Sequence, residues 1–190
     1  PWMDYSRPIL EESVAAFVRA ELAQQRAIKD FPGAYAGLRI GLNRGFSTVT
    51  APNYKTMLAA GEITQSYAKD NRTNLLLLRR KRIDVFINDR LSILWELQQM
   101  RSEDLLASSG LDWLVEGPTL SSEHGHLGYT RINEQAYPYK QDFMQQLDQA
   151  LLTLEQDGSI TRLAQRYSSI DLLPATGNGS SEDATSGNDL

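Results

Sequence analysis

The stretch Ala36-Gly-Leu-Arg-Ile-Gly-Leu-Asn-Arg-Gly-Phe-Ser-Thr-Val-Thr-Ala-Pro-Asn-Tyr54 decides how this chain is read. Leu38, Ile40 and Leu42 alternate as in a short strand, Gly45 predicts a turn, and hydroxyls follow at Ser47, Thr48 and Thr50. Pro52 suits the start of a helix that carries Tyr54, Met57 and Leu58 and is stopped by Gly61. Strand, glycine turn and helix start, in that order, gather unpaired backbone N–H groups and the positive end of a dipole, a ready site for a carboxylate or phosphate. The lysine that a nucleotide-binding loop carries before its hydroxyl is absent, the position being Phe46. The expected guest is therefore a small anionic group held by the backbone at Gly45 and by Ser47 and Thr48; a plain connecting turn is the alternative.

Working outward, Ile63 to Ala68 predicts a strand, and Asp70 or Asn71 can cap a helix that places Leu75, Leu78 and Arg82 on one side. Ile83-Asp84-Val85-Phe86-Ile87 is a β-rich apolar run, the strongest buried-strand signal present. It ends at Asn88-Asp89, before a helical stretch with Ile93, Leu94, Leu97 and Met100. Strand, helix, strand, helix, strand, helix predicts a three-layer α/β unit with a largely parallel sheet. In such sheets the carboxyl ends of the strands face the ligand crevice, which makes Asp89 a candidate holder of an ammonium group, with a helix cap as the alternative role.

Upstream, Pro1 to Pro8 reads as an irregular lead-in, Ala15 to Val18 as a short buried strand, with a helix carrying Val14, Phe17 and Val18 on one face as the alternative, and Asp30-Phe31-Pro32-Gly33 as a turn. Downstream, Gly117-Pro118 is expected to break the pattern after Trp113-Leu114-Val115, and His126 to Thr130 reads as a strand. Tyr137 to Leu154 carries apolar residues at helical spacing, Gly158 interrupts, and a short helix closes the fold. The expected division is 1–24 (end of a first lobe and crossover), 25–130 (second α/β lobe), 131–172 (return segment and final helices) and 173–190 (a polar tail expected to be disordered).

Composition limits the function classes. The 190 residues are 41% hydrophobic with a net charge of -5, ordinary for a water-soluble fold and unfavourable for nucleic-acid binding. Arg79-Arg80-Lys81-Arg82 is read as a solvated helix end. With no cysteine there is neither a disulfide nor thiolate chemistry, and no apolar run approaches the ~20 residues of a membrane span. His124 and His126 share one loop without a carboxylate or cysteine at a ligand spacing, so no metal site, catalytic set or cofactor is expected. The opening at Pro1, without an initiator methionine, is read as the start of a piece of a longer protein.

Three segments and the stretch near the chain's end resemble the amino-acid-type (family 3) periplasmic solute-binding proteins. Tyr5-Ser6-Arg7-Pro8 with Val14 to Arg19 is similar to the stretch where that family's first lobe crosses to the second. Ile28 to Gly33, then Leu38 to Gly41 and Gly45-Phe46-Ser47, resembles the opening of its second lobe. Arg82-Ile83-Asp84-Val85-Phe86-Ile87-Asn88-Asp89 resembles its Gly-Arg-(Ile/Val)-Asp strand, with Lys81 where the glycine usually stands. Asp157-Gly158-Ser159-Ile160 is similar to the signature of its closing helices. The resemblance implies a periplasmic-binding-protein-like α/β lobe with most of the first lobe missing. It implies that Ser47 and Thr48 take a ligand carboxylate and Asp89 an amino group. It also implies a periplasmic, non-catalytic protein that closes on an amino acid or similar solute and delivers it to the membrane permease of an ABC importer, with a signal peptide upstream. A sensory input domain of a membrane receptor, or a dehydratase on the same fold, are the alternatives.

Overall fold

The computed structural model describes residues 2–46, 49–106, 110–168 and 172–174. At its centre is a six-stranded sheet assembled from β2 (Leu10–Arg19), β3 (Arg39–Asn43), β4 (Thr64–Ala68), β5 (Val85–Asp89), β6 (Leu114–Gly125) and β8 (Leu173–Pro174) in the order β4-β3-β5-β2-β6-β8. The pairs β3–β4, β3–β5 and β6–β8 are parallel, and β2 runs antiparallel to both of its neighbours. β5 sits inside the sheet, and Val85, Phe86 and Ile87 are all wholly buried, as a strand covered on both faces requires.

Alternation along β2 and β5 divides the core. Phe17 and Phe86 turn to one face, where they meet Leu75 and Leu78 of α3 (Asn71–Arg79) and Ile93, Leu94 and Leu97 of α4 (Arg90–Ser102). Ala16, Val18, Val85 and Ile87 turn to the other and pack with Ile40, Leu42, Tyr35 and Tyr54, the last on α2 (Tyr54–Ala59). Asp70 caps α3 by accepting from the Thr73 backbone N–H at 2.8 Å.

The structure corrects several expectations. The lead-in contains β1 (Met3–Tyr5), which pairs with β7 (Gly128–Thr130) in a separate two-stranded sheet. Gly117-Pro118 does not break the chain's course: β6 runs through both residues, and the ladder with β2 absorbs them by shifting register between Val14 and Ala15 and again between Ala15 and Phe17. Proline is tolerated at such irregularities because no ladder N–H is required of it. A side chain at Gly117 would meet the Ala16 carbonyl oxygen at 3.0 Å, so the close approach of the two strands there needs glycine. β2 thus pairs with β6 on one side and β5 on the other, and the His126 to Thr130 stretch read as a strand supplies β7 instead. Asp84 lies just before β5, not within it. α1 (Ala20–Gln25) follows β2 directly.

After β7, α5 (Lys140–Gln156) and α6 (Ser159–Ser168) follow, separated by Gly158 at φ +75°. Leu173–Pro174, the first residues of the expected tail, pair with β6, and 175–190 lie outside the described residues.

Just past the C-cap of α3, Lys81 stands in the left-handed region at φ +59°, its N–H bonded to the Leu78 carbonyl and that of Arg82 to the Leu77 carbonyl. That is the position of a glycine stop, filled here by a residue with a Cβ. The ion pair of Lys81 with Glu21 joins two side chains that are each 60% exposed, so it adds little. Lys81→Gly is therefore expected to stabilise the protein by about 1 kcal/mol, measured as a higher urea midpoint; a lower midpoint would show that the lysine contacts outweigh the backbone strain.

Candidate functional site

The carboxyl ends of β3 and β5 are held side by side by a chain of buried amides. Asn71 Oδ1, at the start of α3, accepts from Asn43 Nδ2 and from Asn88 Nδ2, each at 2.7 Å. Asn74 Nδ2 donates to Asn43 Oδ1 at 2.8 Å and to the Leu42 carbonyl at 3.2 Å. Asn43, Asn74 and Asn88 are all buried, so this network fixes the two strand ends that carry the candidate residues.

Beyond the end of β3, Gly45 has φ +86° and is exposed, with open space where a Cβ would stand; the turn needs glycine for its backbone. Ser47 and Thr48 lie outside the described residues. α2 starts only at Tyr54, is six residues long, and has a left-handed Asn53 as N-cap with no side-chain cap bond. The helix-dipole part of the expected anion site is therefore not built here, and what remains is the loop itself.

Asp89 closes β5 and performs the capping role: its Oδ1 accepts from the Ser92 backbone N–H at 2.8 Å, at the start of α4. Its second oxygen is shut off from solvent and has no hydrogen-bond partner among the described residues. A buried carboxylate oxygen left without a donor is costly, and it is the kind of atom that a ligand N–H would satisfy.

The loop and the acid meet. Phe46 and Thr50 from the loop and Asn88 and Asp89 from β5 line one cleft of about 210 Å³. Its remaining wall comes from β2 and β6, where Val14 stands opposite both Asp89 and Ser121, and Glu12 opposite Glu123. The pleat puts Glu12 and Val14 on one face, with their cross-strand partners beside them. Sequence reasoning missed Glu12, Ser121 and Glu123 because the polar ends of these strands show no apolar alternation.

Other candidates have structural roles. Asp84 accepts from Arg39 and Arg19 side chains. His126 Nδ1 lies 2.7 Å from the Ser6 carbonyl oxygen and its ring meets Tyr5 edge-on, while no group of three or more metal-ligating side chains occurs among the described residues. No helix among the described residues is long and apolar enough to cross a membrane.

No protein-family model matches the sequence, and no curated protein sequence matches it. Solved structures do match the fold. ArgBP from T. maritima, as its P235GK mutant, is similar with a TM-score of 0.55 at 15% identity, over 88% of this chain and 62% of that one. Substrate-binding domain 2 of Lactococcus lactis GlnP, in an open conformation, gives 0.59 at 12%, over 90% and 64%. The GluR0 ligand-binding core in complex with L-glutamate gives 0.58 at 10%, over 87% and 64%. The chain thus spans 62–64% of the length of these structures. It has the α/β fold of the amino-acid-type periplasmic solute-binding proteins over part of their length.

Proposed function

We propose that this chain is the larger part of an extracytoplasmic solute-binding protein of an ABC importer, binding an amino acid or similar small polar solute. The observation that carries the reading is the convergence of the glycine loop and Asp89 on one cleft at the carboxyl ends of parallel strands, where open α/β sheets bind ligands. Asp89 takes the ligand ammonium, and Gly45, Ser47 and Thr48 take the carboxylate. Closure of a first lobe over the cleft is the signal read by the membrane permease, in the periplasm. The protein works by binding, without catalysis. The second reading is a sensory input domain of a membrane receptor; the GluR0 ligand-binding core, in complex with L-glutamate, has a similar fold.

The test is a thermal-shift screen of the full chain against the amino acids. A ligand at about 100 times its Kd is expected to raise Tm by about 5 °C. Asp89→Asn keeps an acceptor for the Ser92 N–H and removes the charge. It is expected to leave the unliganded Tm unchanged and to weaken binding by about tenfold or more. A screen in which no amino acid shifts Tm, or an Asp89→Asn variant that binds as before, would sink the assignment.

A further inference from the structure

Charge distinguishes two acid-lined hollows of the described structure. In the hollow of about 510 Å³ between β1 and α5, every acid has a partner: Asp4 is paired with Arg131 and Lys140, Glu134 with Lys140, and Asp148 Oδ1 accepts from the Arg7 N–H. Those charges serve the fold. Glu12, Asp89 and Glu123 line the other cleft, and among the described residues no lysine, arginine or histidine lines it with them. None of the three forms an ion pair among the described residues.

Two independent features make this arrangement more than a solvated acidic edge. Glu12 and Glu123 are direct cross-strand partners, a position where like charges repel and opposite ones are the usual choice. Asp89, on the same cleft wall, has a second carboxylate oxygen that is closed to water and has no hydrogen-bond partner among the described residues. A cation in the cleft would answer both. Phe46, 58% exposed at the rim, adds an aromatic face of the kind that guanidinium and ammonium groups favour.

We propose, resting on the solute-binding reading of this cleft, that it selects a small organic cation: an amino acid whose side chain ends in a guanidinium or ammonium group. Asp89 takes the α-ammonium, and the facing carboxylates of Glu12 and Glu123 take the side-chain cation between them.

The experiment titrates the full chain calorimetrically with L-arginine, with L-citrulline as its neutral near-isostere, with L-glutamine, and with agmatine, which lacks the carboxylate. L-Arginine is expected to bind about tenfold tighter than L-citrulline, with a preference that shrinks as salt is raised. Glu12→Gln and Glu123→Gln, both at exposed positions, are each expected to lower L-arginine affinity more than L-citrulline affinity and so to erode that preference. Agmatine binding as tightly as L-arginine would support the cation and remove the carboxylate from recognition. L-Citrulline or L-glutamine binding as tightly as L-arginine, with loss of binding in Asp89→Asn, would overturn cation selection and leave solute binding standing. Binding of no amino acid would overturn both.

Discussion

Replacing Asp84 by alanine is expected to lower the unfolding free energy by about 3 kcal/mol. Asp84 Oδ2 accepts from the Arg39 backbone N–H at 3.0 Å and from Arg39 Nε at 2.8 Å, and Oδ1 accepts from Arg19 Nη2 at 3.3 Å. Its side chain is 14% exposed and that of Arg19 is 11% exposed, so removing the carboxylate leaves a nearly buried guanidinium without a counter-charge. Arg19 retains the Leu78 and Ile83 carbonyls as acceptors, which keeps the loss at the lower end for buried pairs. Arg39→Ala, at the 47% exposed partner, is expected to cost about 1 kcal/mol or less.

The same group gives a pH dependence with a defined sign. Burial pushes the Asp84 carboxyl up, but hydrogen bonds from the Arg39 side chain and backbone and from Arg19 outweigh it and hold it below the ordinary 3.8. A folded-state value below the unfolded one means that the stabilisation is complete above the ordinary value and is lost as pH falls through the lowered one. The difference in urea midpoint between the native protein and Asp84→Asn should be flat near neutrality and shrink only in that acid window. A difference that is unchanged down to strong acid would show that the carboxylate charge is not what ties β3 to the start of β5.

Gly41→Ala is expected to cost about 2–3 kcal/mol through overpacking. A Cβ there would stand 2.4 Å from Ile83 Cδ1 and 2.8 Å from Asn74 Oδ1. Both neighbours are buried, at 1% and 0% exposure, and Asn74 cannot turn away without breaking its bonds to Leu42 and Asn43. Since Ile83→Val deletes the nearer clashing atom, the double variant should be more stable than the sum of the two single effects by about 1 kcal/mol. Strict additivity in denaturant unfolding would mean that the strand has room to shift and that β3 does not depend on this close approach. Asn74 also belongs to the amide chain beneath the cleft, so Gly41→Ala should disturb the site as well as the fold.

The readable parts of the chain are those whose signal is local. Apolar spacing marked β3, β4, β5, α3 and α4, and the turn chemistry at Asp70 and Gly45 marked their ends. Each element owes its form to residues within a few positions of one another, and βαβ order then restricts the topology to few choices. Asp89 was legible for the same reason, as an acid at the end of a buried strand. Gly41 was legible as part of a strand but not as a point of contact, because the atoms that exclude a side chain there come from Asn74 and Ile83.

From its order of residues alone, the chain determined a parallel α/β unit with a glycine loop and an acid at neighbouring strand ends. Only the tertiary structure decided that β1 pairs with β7, that β6 runs through Gly117-Pro118, and that Glu12 and Glu123 face each other beside Asp89. These facts depend on register between strands far apart in sequence. Such pairing is fixed by packing and backbone hydrogen bonds across the sheet, and it leaves no periodic trace in the polar residues that it brings together.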